Sequence, residues 1–538
     1  MGLNLSVESL KNKEQWIGKG YRVWEYDREK VKEATLKNPE WIHFGAGNIF
    51  RAFQAALLEE LLNKGIEKTG LIAAEGFDYE IIDKMYRPHD GLGIDVTLKA
   101  NGTIDKAVIG SIVESLAVNP EAEDDYKRLK EIFRSPSLKM VSFTITEKGY
   151  SLKNAAGEIA PAVAEDFAKG PKAAVSYMGK VSALLYERFE AGKLPVAMVS
   201  MDNCSHNGDK LFAAVSAFTK AWAENGLVSK EFVEYVEDKS KVSFPWSMID
   251  KITPRPDASV EKMLLSDGIE DLAAVITSKN TYVAPFVNAE ECQYLVIEDS
   301  FPNGKIALDK AGVIYTERET VDRVEKMKVC TCLNPLHTAL AVYGCLLGYQ
   351  LISKEMENPS LKRLVERIGY EEGLPVVVNP GVLDPKKFID EVVGLRIPNP
   401  FMPDSPWRIA TDTSQKVGIR FGETIKEYEK RDNLKAADLE MIPLVFAGWL
   451  RYLMGINDNG ETFEPSSDPL LETLRPYVAD IKFGDKDIHD KVYPILSNAD
   501  IFGSDLYKVG LGEKVEKYFI ELIEGPKAVE KTLAKYVF

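Results

Sequence analysis

The sequence predicts an α/β domain followed by a mostly α-helical C-terminal domain. Its 538 residues exceed the usual size of a single domain. In the first half, short apolar runs end in small or polar residues and alternate with helical stretches, as in a parallel sheet covered by helices. Beyond about residue 318 the apolar residues recur at helical spacing instead. We therefore place the domains at residues 1–318, with insertions, and at residues 319–538.

The strands of the first domain are expected where the apolar runs meet small or polar residues. Helical stretches lie between several of these runs, and Gly192 is expected to end one of them. Residues 253–310 show no clear pattern and are interpreted as a candidate insertion. The four runs are "WIHFGAG", "GLIAAEGF", "KMVSFTITEKG" and "LPVAMVSMDN".

The helices of the second domain vary in amphipathicity, so some are expected to be buried on all sides and others on one face only. No internal repeat or low-complexity tract interrupts them. The four clearest stretches are "TALAVYGCLLGY", "NPSLKRLVERIGYEEG", "LEMIPLVFAGWLRYLMG" and "EKVEKYFIELIEG".

The composition restricts the partners of the protein. Lys and Arg total 67 against 83 Asp and Glu, a net charge of −16, which disfavours general attraction to nucleic acid or an anionic membrane. The N-terminal stretch lacks the apolar core of a signal peptide, and no apolar run is as long as a membrane span. Five cysteines in so long a chain do not form a disulfide framework. We therefore expect a cytoplasmic protein with a small-molecule ligand, and the oligomeric state stays open.

A glycine-rich turn follows the first strand. In "WIHFGAGNIFRAFQAALLEELL", Gly45 permits a tight turn and Gly47 lets the backbone approach a pyrophosphate at the amino end of the next helix. Phe50 stands where a third glycine is usual, so the glycine pair alone is weak support. The pattern favours a Rossmann-type domain with a cofactor-binding turn at Gly45, Ala46, Gly47, Asn48, Ile49, Phe50 and Arg51.

The second strand supplies acidic residues. "LIAAEGFD" places Glu75 and Asp78 about thirty residues after Gly45, where an acid can accept hydrogen bonds from an adenosine ribose. An acid there also repels a 2′-phosphate, so NAD is favoured over NADP as the cofactor. The alternative is that both carboxylates face solvent.

The stretch "KMKVCTCLNPLHTALAVYGCLLGY", residues 326–349, has three interpretations: a catalytic rim, a metal site, or the first turns of a core helix. A zinc site needs three or four converging ligands. On a helix, Cys330 and Cys332 diverge by about 200°, and no fourth ligand accompanies them and His337. We therefore expect buried structural cysteines and no metal.

Seven stretches, in order from residue 43 to residue 416, together resemble the polyol-specific long-chain dehydrogenases, the mannitol dehydrogenase family. Within that family the chain is most similar to the fructuronate reductase (D-mannonate oxidoreductase) branch. The resemblance implies a nicotinamide cofactor, no metal, and a nucleotide domain followed by a helical domain. The stretches are "HFGAGNIFRAFQA", "VSFTITEKGY", "SMDNCSHNGDKL", "FPWSMIDKITP", "QYLVIEDSFP", "KVCTCLNPLHTALA" and "RIATDTSQK".

The resemblance also implies residue roles. Lys328 corresponds to the general acid/base, Asn334 and Asn203 to the groups that bind the reacting oxygen, and His337 to a residue that orients the substrate. These types suit ketone reduction, because amide donors stabilise the charge that builds on the oxygen and an ammonium supplies the proton. The residues that correspond to further polar groups of the substrate site are Asp250, Arg408 and Lys416.

One spacing departs from the family. Five residues separate Lys328 from Asn334, where four are common. On a straight helix Lys328 and His337 would point in opposite directions, whereas Lys326 and His337 would share a face. Either the helix contains an extra residue or a bend, or Lys326 takes the catalytic role. We favour Lys328.

We expect NAD-dependent interconversion of a keto-sugar acid and its hydroxy acid, with D-fructuronate and D-mannonate as the pair most favoured by the resemblance. Tagaturonate reductase and mannitol 2-dehydrogenase remain alternatives, because both share the lysine and asparagine core. A second class is a nucleotide-binding protein without catalysis, against which the lysine, both asparagines and the histidine argue. A third is a zinc alcohol dehydrogenase, which turnover that is insensitive to chelators would exclude.

Overall fold

The computed structural model describes residues 3–538, which form two compact units. The first comprises the chain up to Lys99 and from Thr103 to Asp322, and the second comprises Ala100–Gly102 and Arg323–Phe538. The strands are β1 (Leu3–Asn4), β2 (Tyr21–Arg22), β3 (Trp41–Phe44), β4 (Leu71–Glu75), β5 (Gly93–Leu98), β6 (Ile104–Ile109), β7 (Ile112–Ala117), β8 (Met140–Phe143), β9 (Val196–Ser200), β10 (Val242–Ser243), β11 (Ser247–Asp250), β12 (Ile269–Glu270), β13 (Val275–Ile276), β14 (Tyr282–Val283), β15 (Phe286–Glu290), β16 (Tyr294–Glu298) and β17 (Ile314–Thr316).

The first unit contains helices α1 to α10 and the start of α11. The boundary between the two units lies within α11. These helices are α1 (Lys13–Ile17), α2 (Arg28–Lys37), α3 (Ala55–Asn63), α4 (Glu123–Arg134), α5 (Thr146–Gly149), α6 (Pro161–Lys169), α7 (Tyr177–Glu190), α8 (Asn207–Glu224), α9 (Lys230–Glu237), α10 (Ala258–Ser266) and α11 (Arg318–Met327).

The second unit is mostly helical, as the sequence predicts. Its helices are α12 (Asn334–Leu347), α13 (Ile352–Glu355), α14 (Pro359–Glu366), α15 (Pro385–Glu391), α16 (Pro406–Ile409), α17 (Glu423–Glu429), α18 (Met441–Leu453), α19 (Leu471–Ala479), α20 (His489–Leu496), α21 (Ala499–Phe502), α22 (Gly512–Leu522) and α23 (Ala528–Val537).

A six-stranded parallel sheet forms the centre of the first unit. Its order is β10-β9-β8-β3-β4-β7, and every neighbouring pair is parallel. Counted along the chain from β3, this is the order 3-2-1-4-5-6 of a Rossmann fold, with its switch point between β3 and β8. The Rossmann-type prediction is therefore confirmed, and the four predicted strands are β3, β4, β8 and β9.

The sheet is buried on both faces because its strands are apolar at nearly every position. All four residues of β3 are buried. Ile42 and Phe44 pack in one cluster with the apolar residues of α4, α7 and α8, whereas Trp41 packs in the other cluster with α3. Alternate side chains of a strand point to opposite faces, so one strand supplies both layers of the core.

The candidate insertion at residues 253–310 consists of α10, strands β12 to β16 and a short 3₁₀ turn. β15 joins the four-stranded sheet β15-β5-β6-β2, and β16 joins the three-stranded sheet β11-β16-β17. The two-residue strands β13 and β14 form an antiparallel hairpin. This segment therefore folds with the first unit, and its short, irregular strands explain why the sequence pattern did not reveal them.

Six helical segments of residues 3–538 have π-helical hydrogen bonding, in which an N–H group donates to the carbonyl group five residues earlier. Such turns insert one extra residue into a helix and are frequent at functional sites. The segments are Phe50–Gln54, Ile82–Tyr86, Lys328–Cys332, Arg367–Gly373, Val392–Arg396 and Gly418–Gly422.

One helical run, Arg318–Leu347, is long and apolar enough to cross a membrane by length and composition alone. This run differs from the sequence-based expectation of no span-length apolar run, because it consists of α11 and α12 together. Of its most apolar 18-residue stretch, 78 % is buried inside the protein, as in the core helix of a globular domain.

The second unit is organised around α18, of which every residue is buried. A buried carboxylate holds the amino end of this helix: Glu372 accepts hydrogen bonds from the backbone N–H groups of Glu440, Met441 and Ile442 at 2.7, 2.7 and 2.9 Å. Burial raises the pKa of Glu372, while these three bonds oppose the rise. Glu372 thus satisfies amides that have no partner within the helix.

We expect Glu372→Ala to lower the free energy of unfolding by about 3 kcal/mol, because it leaves three amides, two of them buried, without an acceptor. The adjacent substitution Glu371→Ala is a matched control, since Glu371 is 42 % exposed and pairs with Arg363 and Arg367; it should cost less than about 1 kcal/mol. Urea unfolding followed by circular dichroism measures both. Equal losses for the two variants would contradict the capping role of Glu372.

Candidate active site

The glycine turn after β3 has a conformation that requires glycine. Gly45 has φ of +104°, and a Cβ atom at this position would overlap the carbonyl oxygen of Thr144, which follows β8. Nothing lies within 4 Å of where a Cβ of Gly47 would be. The turn therefore passes tightly across the switch point at Gly45 and leaves open space in front of the backbone at Gly47.

The seven residues predicted to bind the cofactor divide into two groups. Gly47, Asn48 and Ile49 reach the surface, whereas the other four are buried. Ala46 N–H donates to Glu75 Oε2 at 3.0 Å, and the ring of Phe50 stacks on His43 at 4.3 Å. The first group lies at the start of a helix, where backbone amides lack carbonyl partners and can bind an anion.

Both acids of the second strand bind groups of the protein itself. Glu75 Oε1 accepts hydrogen bonds from the N–H groups of Phe77 and Asp78, at 2.7 and 3.1 Å. Asp78 is 2 % exposed, and its Oδ2 accepts a hydrogen bond from Thr277 Oγ1 at 2.6 Å. Neither carboxylate faces open solvent. Glu75 fixes the loop after β4 beside the glycine turn, and Asp78 fixes that loop to the β13–β14 hairpin.

Asn203 lies in the loop after β9 and is exposed. The preceding residue, Asp202, holds this loop: its carboxylate accepts hydrogen bonds from Ile145 N and Thr146 N at 2.9 and 2.8 Å, and from Tyr150 Oη at 2.5 Å. Thr146 has φ of +63°, which is unusual for a β-branched residue. Burial raises the pKa of Asp202, and the same hydrogen bonds oppose that rise. The ends of β8 and β9 are thereby locked together.

A second buried side chain links the Asn203 loop to the strand that ends at Asp250. Asn207 is fully buried and donates to Asp202 O and to Ser247 O, both at 3.0 Å. Its Oδ1 accepts from Ser247 N, also at 3.0 Å. Ser247 begins β11 and Asp250 ends it. These hydrogen bonds therefore join the two segments that carry Asn203 and Asp250, both predicted site residues of the first unit.

The altered spacing between Lys328 and Asn334 has a local structural cause. Lys328 begins a π-helical turn, Lys328–Cys332, and its carbonyl group accepts a hydrogen bond from Leu333 N at 3.1 Å, five residues later. The turn adds one residue to the helix, so the straight-helix argument in favour of Lys326 does not apply. Lys328 is 4 % exposed, whereas Lys326 is exposed.

α12 begins at Asn334, and Pro335 occupies its first turn. This is a favoured place for proline, because the N–H group that proline lacks would have no partner there. Asn334 and His337 are half-buried. The next residue, Thr338, accepts a hydrogen bond from Arg420 Nη1 at 2.6 Å, so an arginine is fixed beside the helical turn that carries His337.

Three cations of the second unit lie near one another: Arg408, Lys416 and Arg420. Burial lowers the pKa of the Lys416 ammonium, and the charges of Arg420 and Arg408 act in the same direction. Burial also lowers the pKa of the Arg420 guanidinium to about 10. The Arg408 side chain is 66 % exposed and pairs with Asp404. The Lys416 ammonium donates to the carbonyl oxygen of Thr411. The cluster offers positive charge to an anionic ligand.

The two cysteines of the opening stretch differ in environment. Cys332 is fully buried, and burial raises the pKa of its thiol. Its Sγ lies 3.9 Å from Pro385 O, whereas Cys330 is only half-buried. A thiol with a raised pKa is a poor source of the thiolate that a metal requires. Cys332 therefore packs as an apolar side chain.

Sequence reasoning missed three residues that organise the site: Asp202, Asn207 and Arg420. Asp202 and Asn207 are part of the quoted motif "SMDNCSHNGDKL", but their contacts join segments about 40 to 60 residues apart. Arg420 follows Lys416 by one helical turn, a spacing that places both on the same face. That spacing was a usable signal for Arg420, whereas nothing local indicated the partners of the other two.

A Rossmann sheet with a glycine turn at its switch point, followed by a helical unit with a buried lysine, indicates a dinucleotide-binding protein. Residues 39–310 match the mannitol dehydrogenase Rossmann domain, and residues 320–521 match the mannitol dehydrogenase C-terminal domain. The chain is 53 % identical to the D-mannonate oxidoreductase of Thermotoga maritima over 99 % of both chains.

Two solved structures are similar to this one. D-sorbitol dehydrogenase in substrate-free form has a TM-score of 0.77 at 25 % identity, covering 95 % of this chain and 97 % of the other. Mannitol 2-dehydrogenase of Pseudomonas fluorescens, in a ternary complex with NAD and D-mannitol, has a TM-score of 0.67 at 26 % identity, covering 99 % of each chain. The chain belongs to the mannitol dehydrogenase family and is an oxidoreductase.

We expect Lys328→Ala to lower kcat by about 10²- to 10⁴-fold, the usual loss when a general acid/base is removed, while the Kd for NADH stays near the wild-type value. Lys326→Ala is the matched control and should be mild, because Lys326 is exposed. Steady-state kinetics and NADH titration measure the two effects. The opposite ranking of the two variants would assign the role to Lys326.

Proposed function

We propose that this enzyme interconverts D-fructuronate and D-mannonate with NAD as the cofactor. The observation that carries the proposal is the 53 % identity to a D-mannonate oxidoreductase, which extends over 99 % of both chains. The resemblance of the motifs to the fructuronate reductase branch points the same way. The full-length similarity to a mannitol 2-dehydrogenase crystallised with NAD supports the cofactor.

The glycine turn fits a dinucleotide. The space in front of Gly47 is open, and Gly47, Asn48 and Ile49 reach the surface, so their backbone can hold a pyrophosphate. When bound, NADH supplies a hydride to the carbonyl carbon, and NAD⁺ accepts one in the reverse direction. Glu75 contributes by holding the turn, through Ala46 N–H, and by opposing a 2′-phosphate with its negative charge.

We assign proton transfer to Lys328 and charge stabilisation to Asn203 and Asn334. Lys328 donates a proton to the carbonyl oxygen during reduction and removes it from the hydroxyl group during oxidation. The amides of Asn203 and Asn334 stabilise the charge on that oxygen, and His337 and Asp250 orient the sugar. The burial of Lys328 and its position at a π-turn support its role.

The substrate carboxylate needs positive charge in a protein of net charge −16. Arg408, Lys416 and Arg420 provide it, and a guanidinium can bind a carboxylate through two parallel hydrogen bonds. Arg408 pairs with Asp404 at the surface. A substrate carboxylate can replace the Asp404 carboxylate in this pair, so Arg408 is available to bind it. Arg420 is half-buried, donates a hydrogen bond to Thr338 of α12 and serves to fix the cluster.

The domain assignment follows the same division: residues 1–318 bind the nucleotide, and residues 319–538 supply the acid/base and the anion-binding cluster. We also place the enzyme in the cytoplasm, on the composition of the chain alone. A small-molecule substrate is consistent with the D-mannonate oxidoreductase and the mannitol 2-dehydrogenase described above.

The test of the proposal is a substrate panel. NADH oxidation should be fastest with fructuronate, slower with tagaturonate and slowest with fructose, and NADPH should perform less well than NADH. Efficient turnover of mannitol without activity on mannonate would instead identify a mannitol 2-dehydrogenase. Equal turnover with NADH and NADPH would contradict the selectivity against a 2′-phosphate that we assign to Glu75.

We expect Arg408→Ala to raise KM for the sugar acid by at least tenfold and to leave KM for NADH within about twofold, because loss of a charge-assisted pair costs about 1.5–3 kcal/mol. Arg363→Ala is a matched control, since it removes another exposed arginine–carboxylate pair of the same unit. Steady-state kinetics with each substrate varied in turn make the comparison. A similar rise in both KM values would assign Arg408 to folding.

A further inference from the structure

Phe77 is an exposed aromatic residue in the loop after β4. It is 60 % exposed and follows Glu75 by two residues. Glu75 binds both this loop and the glycine turn, through Phe77 N and Ala46 N. In a Rossmann fold the adenosine of a dinucleotide lies over the carboxyl ends of the first two strands, which here are β3 and β4. Phe77 therefore lies at the adenosine end of the site.

The β13–β14 hairpin fixes this loop from the other side. Thr277 Oγ1 donates to Asp78 Oδ2 at 2.6 Å, and Ser278 N donates to Glu80 Oε1 at 3.0 Å. Immediately after β14, Ala284 O accepts a hydrogen bond from Arg51 Nη1 at 2.6 Å. The hairpin is thus attached to the loop after β4 at its tip and to the helix after the glycine turn at its base.

A lysine of the hairpin covers part of the Phe77 ring. The Nζ atom of Lys279 lies 4.2 Å from the ring centroid, a distance at which an ammonium is attracted to an aromatic face. The ring is still 60 % exposed, so the ammonium leaves much of it open. An aromatic ring held by a cation and by a fixed loop is preorganised for stacking.

The other groups of the loop are already in use. Glu75 and Asp78 bind the protein itself, and Lys180 donates to Gly76 O and Tyr79 Oη at 3.1 and 2.7 Å. Gly76 has no room for a side chain, because a Cβ there would lie 2.6 Å from the Tyr177 ring. Phe77 is the large side chain that this rigid loop exposes to solvent.

We propose that Phe77, supported by Lys279 and the β13–β14 hairpin, is the platform on which the adenine ring of the dinucleotide stacks. The proposal rests on the nucleotide part of the proposed function and is independent of which sugar acid is the substrate. Every base has an aromatic face, and a stacked base on a protein aromatic residue contributes substantially to affinity. Recognition is by ring stacking, so it does not depend on the redox state of the nicotinamide.

The experiment measures the binding of nucleotides in the absence of any sugar acid. NADH and ADP-ribose both contain adenosine, whereas reduced nicotinamide mononucleotide does not. Phe77→Ala should raise the Kd of NADH and of ADP-ribose by the same factor, about 5- to 150-fold, the loss expected for one stacked base. The Kd of the mononucleotide should change by less than twofold. Isothermal titration calorimetry measures all three.

Three further variants separate stacking from general effects. Phe77→Tyr keeps an aromatic face and should restore binding to within about twofold of wild type. Lys279→Met removes the cation over the ring and should weaken NADH binding about two- to fivefold. Ile276→Ala is the matched control, because Ile276 is an apolar residue of the same hairpin and is 63 % exposed; it should have no effect. The melting temperatures should all remain near the wild-type value.

Two results would overturn the proposal. A Kd for NADH within twofold of wild type in Phe77→Ala would show that no base stacks there. Equal weakening of NADH and of the mononucleotide would show a general disturbance of the glycine turn. Failure of the wild-type enzyme to reduce fructuronate would leave these binding constants unaffected, so the two proposals fail separately.

Discussion

The close approach of Gly45 to Thr144 is the constraint on which the site depends. β3 and β8 are neighbouring parallel strands. At the switch point, the chain leaves them toward opposite faces of the sheet. The φ of +104° at Gly45 lets the turn pass directly over the carbonyl group of Thr144. The space in front of Gly47 is open, and the helix that begins there has amides without carbonyl partners in the helix.

Buried polar groups convert this strand arrangement into a defined set of loops. Glu75 binds the glycine turn, Asp202 binds the end of β8 and Asn207 binds the start of β11. Each of these side chains is satisfied by backbone groups of a segment distant in the sequence. A buried polar group without such partners would cost about 1–3 kcal/mol, so the loops have little freedom to adopt other arrangements. The loops that carry Asn203 and Asp250 inherit this rigidity.

The second unit uses a different device, the insertion of one residue into a helix. The π-turn at Lys328–Cys332 lets a buried lysine precede a regular helix whose first residues are Asn334 and Pro335. A second π-turn, Gly418–Gly422, contains Arg420, which binds Thr338 on that helix. These turns shift the register of the side chains that follow them, and both occur among residues to which we assign the chemistry.

The sequence by itself determined the fold class, the glycine turn, four strands of the central sheet and the residue types of the site, because these depend on local periodicity and on motifs. It did not determine the register of Lys328, since a π-turn depends on how the helix packs and has no periodic signature. Nor did it reveal that Glu75 and Asp78 bind the protein itself, or that Thr277 and Lys279 meet the loop after β4. The contacts of Thr277 and Lys279 with this loop join residues about 200 positions apart, and only the tertiary structure brings such residues together.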